Sequence, residues 1–406
     1  MGWEQSVAPL TPRAIIEGRS RSRPSTAVII GLILASIGAL LVMISYVVFN
    51  GAAQTVVATL MALPVGVVVV ALLLFLDRFE PEPPLKLLFV FLWGCGVAAL
   101  VALVVNTAGI FFLSSEIGRT GGSFLGTSFL APVVEESLKG SVLLILLWRR
   151  RDEINGVTDC VIYAGMVGIG FAVIEDVNYF GEALGKGGEA ALVTWVARSI
   201  MGPISHPAFT SATGVGVAYA ATGRHGGKGV LAVIGGWCLA IFLHMSWNFG
   251  SNFGLIGLGI SVLIAAGWVT VLIILLVRDR HRLVGTIRHF LPMYIQSGIV
   301  TPTDITMLSS LRTRRDARRV IRARLGRRAA QAMEDYQLAA TELAMLHASA
   351  TTRTVSRERF ALRQQALTYL MGQAHRAFTA PGYPPRGVTG PPPPGNFPGP
   401  SQPTNW

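Results

Sequence analysis

Eight long apolar segments constrain the fold of this chain more than any other feature of its sequence. A helix needs about 20 mostly apolar residues to cross the hydrocarbon core of a bilayer, and each segment is at least that long. The fourth and the sixth are interrupted by polar residues. The pattern predicts an all-α, polytopic membrane helical bundle with about eight transmembrane helices, at residues 27–49, 55–76, 87–106, 122–148, 157–177, 191–221, 229–249 and 255–277.

The composition agrees with a membrane protein. Of the 406 residues, 51% are hydrophobic and only 14% are charged, whereas about a quarter of the residues of a soluble domain are charged. The three cysteines, Cys95, Cys160 and Cys238, lie far apart inside apolar segments. This spacing favours buried small side chains over a disulfide framework or a cysteine metal site.

The excess positive charge is confined to the last third of the chain. Residues 1–277 contain 15 basic and 15 acidic residues, while residues 278–406 contain 19 basic and 7 acidic residues. The last 26 residues contain ten prolines and five glycines, a composition typical of a disordered tail. The predicted divisions are a basic cytoplasmic N-terminal arm (1–26), a transmembrane domain (27–277), a small basic helical cytoplasmic region (278–379) and a disordered Pro/Gly-rich tail (380–406).

Helix signals occur in the basic region. Thr301-Pro302-Thr303-Asp304 is typical of a helix start, and Gly326 separates the arginine-rich residues 312–325 from a helical pattern at 327–348. A further helix is expected at about 356–377.

Basic loops predict the orientation in the membrane. Cytoplasmic loops carry an excess of lysine and arginine. The basic N-terminal arm, Arg149–Arg151, the loop with Arg224 and Lys228, and the exit at Arg278 all fall on one side of an eight-span bundle. We therefore expect a multi-pass plasma membrane protein with both termini in the cytoplasm.

Charged residues inside the fourth span are the first functional signal. A charge near the bilayer centre costs several kcal/mol, yet this span contains Glu135, Glu136 and Lys139. On a helix, Glu135 and Lys139 share a face, whereas Glu136 points about 100° away. One ion pair would account for one glutamate but not for two, so we expect the other carboxylate to titrate or to bind a cation.

Three further spans carry polar residues that are costly in a bilayer. The fifth has Glu175 and Asp176 near its outer end, and the sixth has His206 between two prolines. The seventh has His244 and Asn248 on one face. Singly, each has a structural interpretation, as an acid that faces water or as a packing hydrogen bond. Together they suit water activation, with a general base, imidazoles for a metal or a proton, and an amide for developing charge.

Five ordered motifs resemble those of a known family. They are Asp77-Arg78-Phe79-Glu80-Pro81-Glu82-Pro83, Glu135-Glu136-x-x-Lys139, Phe171-x-x-x-Glu175, His206 with Thr210 and Gly214, and His244-x-x-Trp247-Asn248. Over roughly residues 55–250 the sequence resembles the PrsW family of intramembrane proteases, which are related to the CAAX prenyl and bacteriocin-processing proteases. One position departs, since Asp176 stands where asparagine is expected after the motif glutamate.

The resemblance implies an intramembrane endopeptidase, a hydrolase of the metalloprotease type. Its expected substrates are single-span or membrane-associated proteins, with anti-sigma factors as the best-known type. The residues that we assign to catalysis are Glu135, Glu136, Lys139, Glu175, His206, His244 and Asn248.

A metal site follows from the same residues. A catalytic zinc has three protein ligands and an open position. His206, His244 and Glu135 are the candidate zinc ligands, and the other glutamate would then be the base. Lys139 would keep the adjacent carboxylates from sharing one proton. A glutamate-activated water without a metal is the alternative.

Two other functions compete with a protease. A proton- or ion-coupled transporter also uses intramembrane Glu and His residues, but the sequence has no second copy of the Glu-Glu-x-x-Lys segment, as repeated halves would require. The third reading is a membrane anchor for the basic region. Arg312–Arg328 contains nine arginines in 17 residues without interleaved aromatics, which favours anionic lipid headgroups over nucleic acid as the partner.

Overall fold

The structure, a computed structural model, describes residues 26–151, 154–223, 225–352 and 354–379. No strand occurs among these residues, so the all-α prediction is confirmed for them. Residues 1–25 of the predicted arm and the predicted tail, 380–406, lie outside the described residues. The helices are α1 (Thr26–Asn50), α2 (Ala52–Leu76), α3 (Pro84–Leu92), α4 (Ala99–Ile117), α5 (Arg119–Leu125), α6 (Ala131–Arg150), α7 (Val157–Lys186), α8 (Gly188–Val196), α9 (Ser205–Ala221), α10 (Gly227–Ser251), α11 (Gly254–Phe290), α12 (Pro302–Leu308), α13 (Leu311–Thr351) and α14 (Arg357–Phe378).

Six helical stretches of the described residues are long and apolar enough to cross a membrane, rather than the predicted eight. They are Thr26–Asn50, Ala52–Phe79, Pro84–Ile117, Val157–Lys186, Gly227–Ser251 and Gly254–Tyr294. The predicted fourth span is helical but carries Glu135, Glu136 and Lys139. The predicted sixth span is interrupted between Met201 and Ser205. The six apolar stretches establish a multi-pass membrane protein, while a count of eight stays a prediction.

Helix α7 is longer than the predicted fifth span, because it continues to Lys186. Glu175 and Asp176 therefore lie about three turns before its end, and the expectation that they sit near a span end is wrong. Most side chains of α7 are buried on all sides of the helix. It is thus the central helix of the membrane part, with α2, α3 and α9 packed around it.

Small residues let the neighbouring helices approach α7 closely, as its glycines predict. A Cβ on Gly170 would lie 2.1 Å from the carbonyl oxygen of Phe91. A Cβ on Gly168 would lie 2.7 Å from the backbone nitrogen of Pro207. These contacts are too short for any side chain, so glycine sets the distance from α7 to both neighbours.

Among the described residues of the membrane part, three π-helical segments interrupt the helices. Trp93–Ala98 joins α3 to α4, Gly126–Leu130 joins α5 to α6, and Ala197–Met201 follows α8. Such segments are frequent at functional sites, because the extra residue re-aims the side chains beside it.

Residues 278–379 belong to a second compact unit with its own core. Tyr336, Leu343 and Leu367 are fully buried in it. The predicted helix start at Thr301 is confirmed, because its hydroxyl accepts a hydrogen bond from the backbone of Asp304. The predicted further helix is confirmed as α14.

The predicted break at Gly326 is also confirmed. Gly326 has φ 85° and ψ −174°, a left-handed conformation that favours glycine. Two arms of α13, residues 311–325 and 327–351, are antiparallel around this point, since Arg314 donates a hydrogen bond to Thr341 and Arg318 to Gln337.

Candidate active site

The centre of the site is Glu136 on α6, which is fully buried. Its Oε1 lies 2.5 Å from Lys139 Nζ and 3.0 Å from His244 Nδ1. Its Oε2 accepts a hydrogen bond of 2.9 Å from Thr210 Oγ1. Both carboxylate oxygens are therefore occupied by partners from three helices.

Lys139 pairs with the glutamate three residues before it, not with the one four residues before it. Helical spacing gave Glu135 and Lys139 a common face, but in the structure the ion pair of Lys139 is with Glu136. Lys139 also lies 3.1 Å from His206 Nδ1 and 4.6 Å from the centre of the Phe171 ring. These partners on α9 and α7 draw the ammonium group toward Glu136.

Glu135 has fewer hydrogen-bond partners than Glu136. Its Oε1 accepts a hydrogen bond of 3.1 Å from Asn106 on α4. Its Oε2 is buried without a hydrogen-bond partner in the described part of the chain and lies 3.8 Å from His244 Nε2. A buried carboxylate oxygen of this kind is costly unless a cation or a proton occupies it.

Both ring nitrogens of His206 have hydrogen-bond partners. Lysine can only donate, so Nδ1 accepts from Lys139 and the ring carries its proton on Nε2. Nε2 then donates to Glu175 Oε2 at 2.9 Å. His206 lies on the first turn of α9, at the point where Gly168 of α7 approaches the backbone, so its position depends on that glycine.

Arg198 is a site residue that the sequence motifs do not identify. It lies in the π-helical segment Ala197–Met201. Its guanidinium group forms ion pairs with Glu175 and Asp176 and lies 4.0 Å from the ring centre of Tyr179. An arginine inside a predicted span is costly in lipid. This cost is the sequence signal by which Arg198 could be identified as a candidate site residue.

Asn248 does not join this cluster through its hydrogen bonds. Its side-chain amide donates to the carbonyl oxygen of Thr127, in the π-helical segment before α6. Of the seven predicted catalytic residues, six are linked directly by contacts. The linked residues are Glu135, Glu136, Lys139, Glu175, His206 and His244.

The donor set suits a divalent metal. One oxygen of Glu135 and one ring nitrogen each of His206 and His244 lie within 4.8 Å of one another, and all three residues are buried. Two imidazoles and a carboxylate are the protein ligands of one class of catalytic zinc site. These are the residues that the sequence predicts as metal ligands.

The charges of the cluster also suit a cation. If all groups are ionised, the four carboxylates carry two more negative charges than Lys139 and Arg198 can balance. The excess would be costly in a buried site, and a divalent ion would neutralise it. The carboxylates are those of Glu135, Glu136, Glu175 and Asp176.

Comparison with known proteins identifies the membrane part. The family model of the PrsW family intramembrane metalloprotease matches residues 82–277. This range contains the whole cluster, begins after most of the Asp77–Pro83 loop and extends beyond residue 250. No curated protein and no solved structure gives a significant match. The family implies a membrane-bound metalloprotease, a hydrolase with membrane-associated protein substrates. Residues 82–277, the part of the chain that contains the cluster, thus match the PrsW family of intramembrane metalloproteases.

Proposed function

We propose that this protein hydrolyses peptide bonds of single-span or membrane-associated proteins, with anti-sigma-factor-like proteins as the expected type. The convergence of Glu135, His206 and His244 within 4.8 Å is the observation that carries the proposal. A proton- or ion-coupled transporter would use similar residues, but the family match favours hydrolysis.

Glu135, His206 and His244 would hold the metal, with zinc as the proposed ion. Glu135 Oε2 and His244 Nε2 face each other at 3.8 Å, while His206 would give up one of its two present hydrogen bonds. Bound zinc supplies Lewis acidity, which polarises a carbonyl group and makes water a better nucleophile.

Glu136 orients His244 in this proposal. A histidine ligand commonly donates its second ring nitrogen to a carboxylate, which fixes the tautomer and the ring. The 3.0 Å contact between His244 Nδ1 and Glu136 Oε1 has this form. Lys139 and Thr210 hold Glu136 in turn, which favours orientation over the role of base that the sequence suggests.

Glu175 is then the carboxylate that accepts a proton from water. Its side chain is 20% exposed, whereas those of Glu135 and Glu136 are 6% and 0% exposed. Arg198 holds the Glu175 carboxylate beside His206. From there Glu175 would take a proton from the attacking water and deliver it to the leaving amide nitrogen.

We also propose the topology that the loop charges predict. The protein would span the plasma membrane eight times with both termini in the cytoplasm, and α6 and the pair α8–α9 would be the two polar spans, which contribute Glu135, Glu136, Lys139 and His206 to the site. Residues 278–379 would be a cytoplasmic region whose arginines contact anionic lipid headgroups. Residues 27–277 would be the protease domain, which follows the N-terminal arm (1–26), and the tail (380–406) would follow the cytoplasmic region.

Substitution of two glutamates tests the assigned roles. Wild-type protein and variants would be purified in detergent, and zinc content and zinc affinity measured. Cleavage would be followed on single-span proteins from host membranes. Glu136→Gln should lower both zinc affinity and the cleavage rate by about 10- to 100-fold, the usual effect of losing such a supporting contact. Glu175→Gln should abolish cleavage with zinc affinity close to that of the wild type.

Matched variants control for the loss of polar groups. Glu182 lies on α7 with Glu175 but bonds Asn178 at the exposed surface, so Glu182→Gln should cleave normally. His225 stacks on Tyr219 away from the cluster, so His225→Ala should do the same, while His244→Ala is inactive. Wild-type cleavage by both Glu136→Gln and His244→Ala would contradict the proposed site. Full cleavage activity after treatment with a chelator would show that the reaction does not need zinc, and would leave the glutamates and histidines as the proposed site.

A further inference from the structure

The arginine run on α13 is divided by the fold into two groups. Arg314 is buried and structural, because it donates hydrogen bonds to the carbonyl oxygen of Leu308 at 3.0 Å and to Thr341 Oγ1 at 2.8 Å. The other arginines of the run are at least partly exposed. Their arrangement depends on the reversal of chain direction at Gly326, where the sequence predicts a break between helices but not the direction of the second one.

The reversal brings arginines from both arms of α13 to one cleft of about 450 Å³. Those lining it, here called the arginine cleft, are Arg315, Arg318, Arg319, Arg322 and Arg327. Ala330, Gln331 and Glu334 complete the lining. The first four arginines lie on one arm and Arg327 on the first turn of the other, so the cleft depends on the hairpin.

The arginine cleft has more positive charge than its neighbours balance. Arg318 is 3.7 Å from Glu334, and Arg319 is 3.6 Å from Asp316. Within the described part of the chain, Arg315, Arg322 and Arg327 have no ion-pair partner. Three unpaired guanidinium groups around one cleft repel one another, and a ligand with several negative charges would relieve that repulsion.

We propose that the arginine cleft binds a ligand with clustered phosphate groups, whether on an anionic lipid headgroup or in a soluble polyphosphate. Guanidinium groups donate two parallel hydrogen bonds to phosphate oxygens. The cleft has no aromatic side chain in its lining, so it lacks the stacking surface with which proteins bind single-stranded nucleic acid. The proposal is independent of the protease activity.

Two double variants of equal charge test the cleft. Full-length protein in non-ionic detergent would be titrated with inorganic tripolyphosphate by calorimetry. Arg315→Gln/Arg322→Gln removes two cleft residues. Arg324→Gln/Arg328→Gln removes two exposed arginines of the same run that do not line the cleft. We expect about a tenfold or larger loss of affinity for the first pair and little change for the second.

A third variant separates charge from geometry. Arg315→Lys/Arg322→Lys keeps both charges but lacks the forked donors, so its affinity should lie between those of the wild type and the glutamine pair. Circular dichroism of all variants should match the wild type, because all four substituted positions are exposed.

Nanodiscs distinguish the two sources of phosphate. If phosphatidylglycerol discs weaken tripolyphosphate binding relative to phosphatidylcholine discs, lipid headgroups occupy the cleft. If both discs give the same affinity, the ligand is a soluble phosphate compound. Either result is consistent with phosphate binding in the arginine cleft. Equal losses in the two glutamine pairs, no tripolyphosphate binding by the wild type, or tighter binding of a short single-stranded RNA would overturn it.

Discussion

Gly168→Ala is a small change that should displace a candidate metal ligand. The added Cβ would lie 2.7 Å from the backbone nitrogen of Pro207 and 2.8 Å from the carbonyl carbon and oxygen of His206. These are backbone atoms, so no side-chain rotation can relieve the clash. Helix α9 must move away from α7 at the turn that carries His206.

The size of the effect follows from these distances. Ordinary contacts begin at 3.4 Å, so the helices must separate by about 0.7 Å. Overpacking of this kind costs about 1–3 kcal/mol of stability. Misplacement of a catalytic group by about 1 Å costs up to about 100-fold in rate. We therefore expect Gly168→Ala to slow cleavage by about 10- to 100-fold and to weaken zinc binding.

Two glycines of the same helix serve as controls. The atoms nearest to a Cβ on Gly165 would all belong to the side chain of Leu73, which can adjust, and a Cβ on Gly185 would meet nothing within 4 Å. Gly165→Ala and Gly185→Ala should therefore keep near-normal cleavage. Thermal unfolding, zinc affinity and cleavage rate would be measured for all three variants. Wild-type zinc affinity and rate in Gly168→Ala would refute the argument that α7 sets the position of His206.

Three further predictions concern other parts of the chain. Arg198→Met leaves two carboxylates without their cation and should destabilise the protein by about 3 kcal/mol. Thermal unfolding should show partial rescue by Arg198→Lys. An unchanged Tm in Arg198→Met would contradict the role of Arg198 as the partner of these carboxylates. Burial lowers the pKa of His347 to about 4, below about 6.5 in the unfolded chain. The unfolded state therefore binds the proton first, and the stability of residues 278–379 should fall as pH decreases from about 6.5 to about 4; His347→Gln should lose this dependence, and an identical pH profile in denaturant titrations would count against it. Reporter fusions should give an extracytoplasmic signal after residue 185 and a cytoplasmic one after residue 290, and reversed signals would exclude the proposed orientation.

The sequence by itself determined most of the helices and pointed to most of the candidate site residues. Apolar length and helical period are local properties, so the six membrane stretches and α14 could be read from neighbouring residues. The cost of charge in a bilayer is likewise a property of a single position. This cost alone points to Glu135, Glu136 and Lys139 as candidate functional residues.

Only the tertiary structure decided which of these groups are partners. Lys139 binds Glu136 rather than Glu135, because His206 on α9 and Phe171 on α7 lie on that side. Asn106 reaches Glu135 from 29 residues earlier in the chain. Spacing along one helix cannot specify such contacts, since the distance between helices is set by what packs between them.

The same reasoning applies to two polar side chains of α10. His244 and Asn248 share a helical face, yet one bonds Glu136 and the other the backbone of Thr127. Helical period determined that both side chains point from one face. The neighbours that α10 meets along its length decided where each one binds, because a hydrogen bond depends on the position of an atom from another helix.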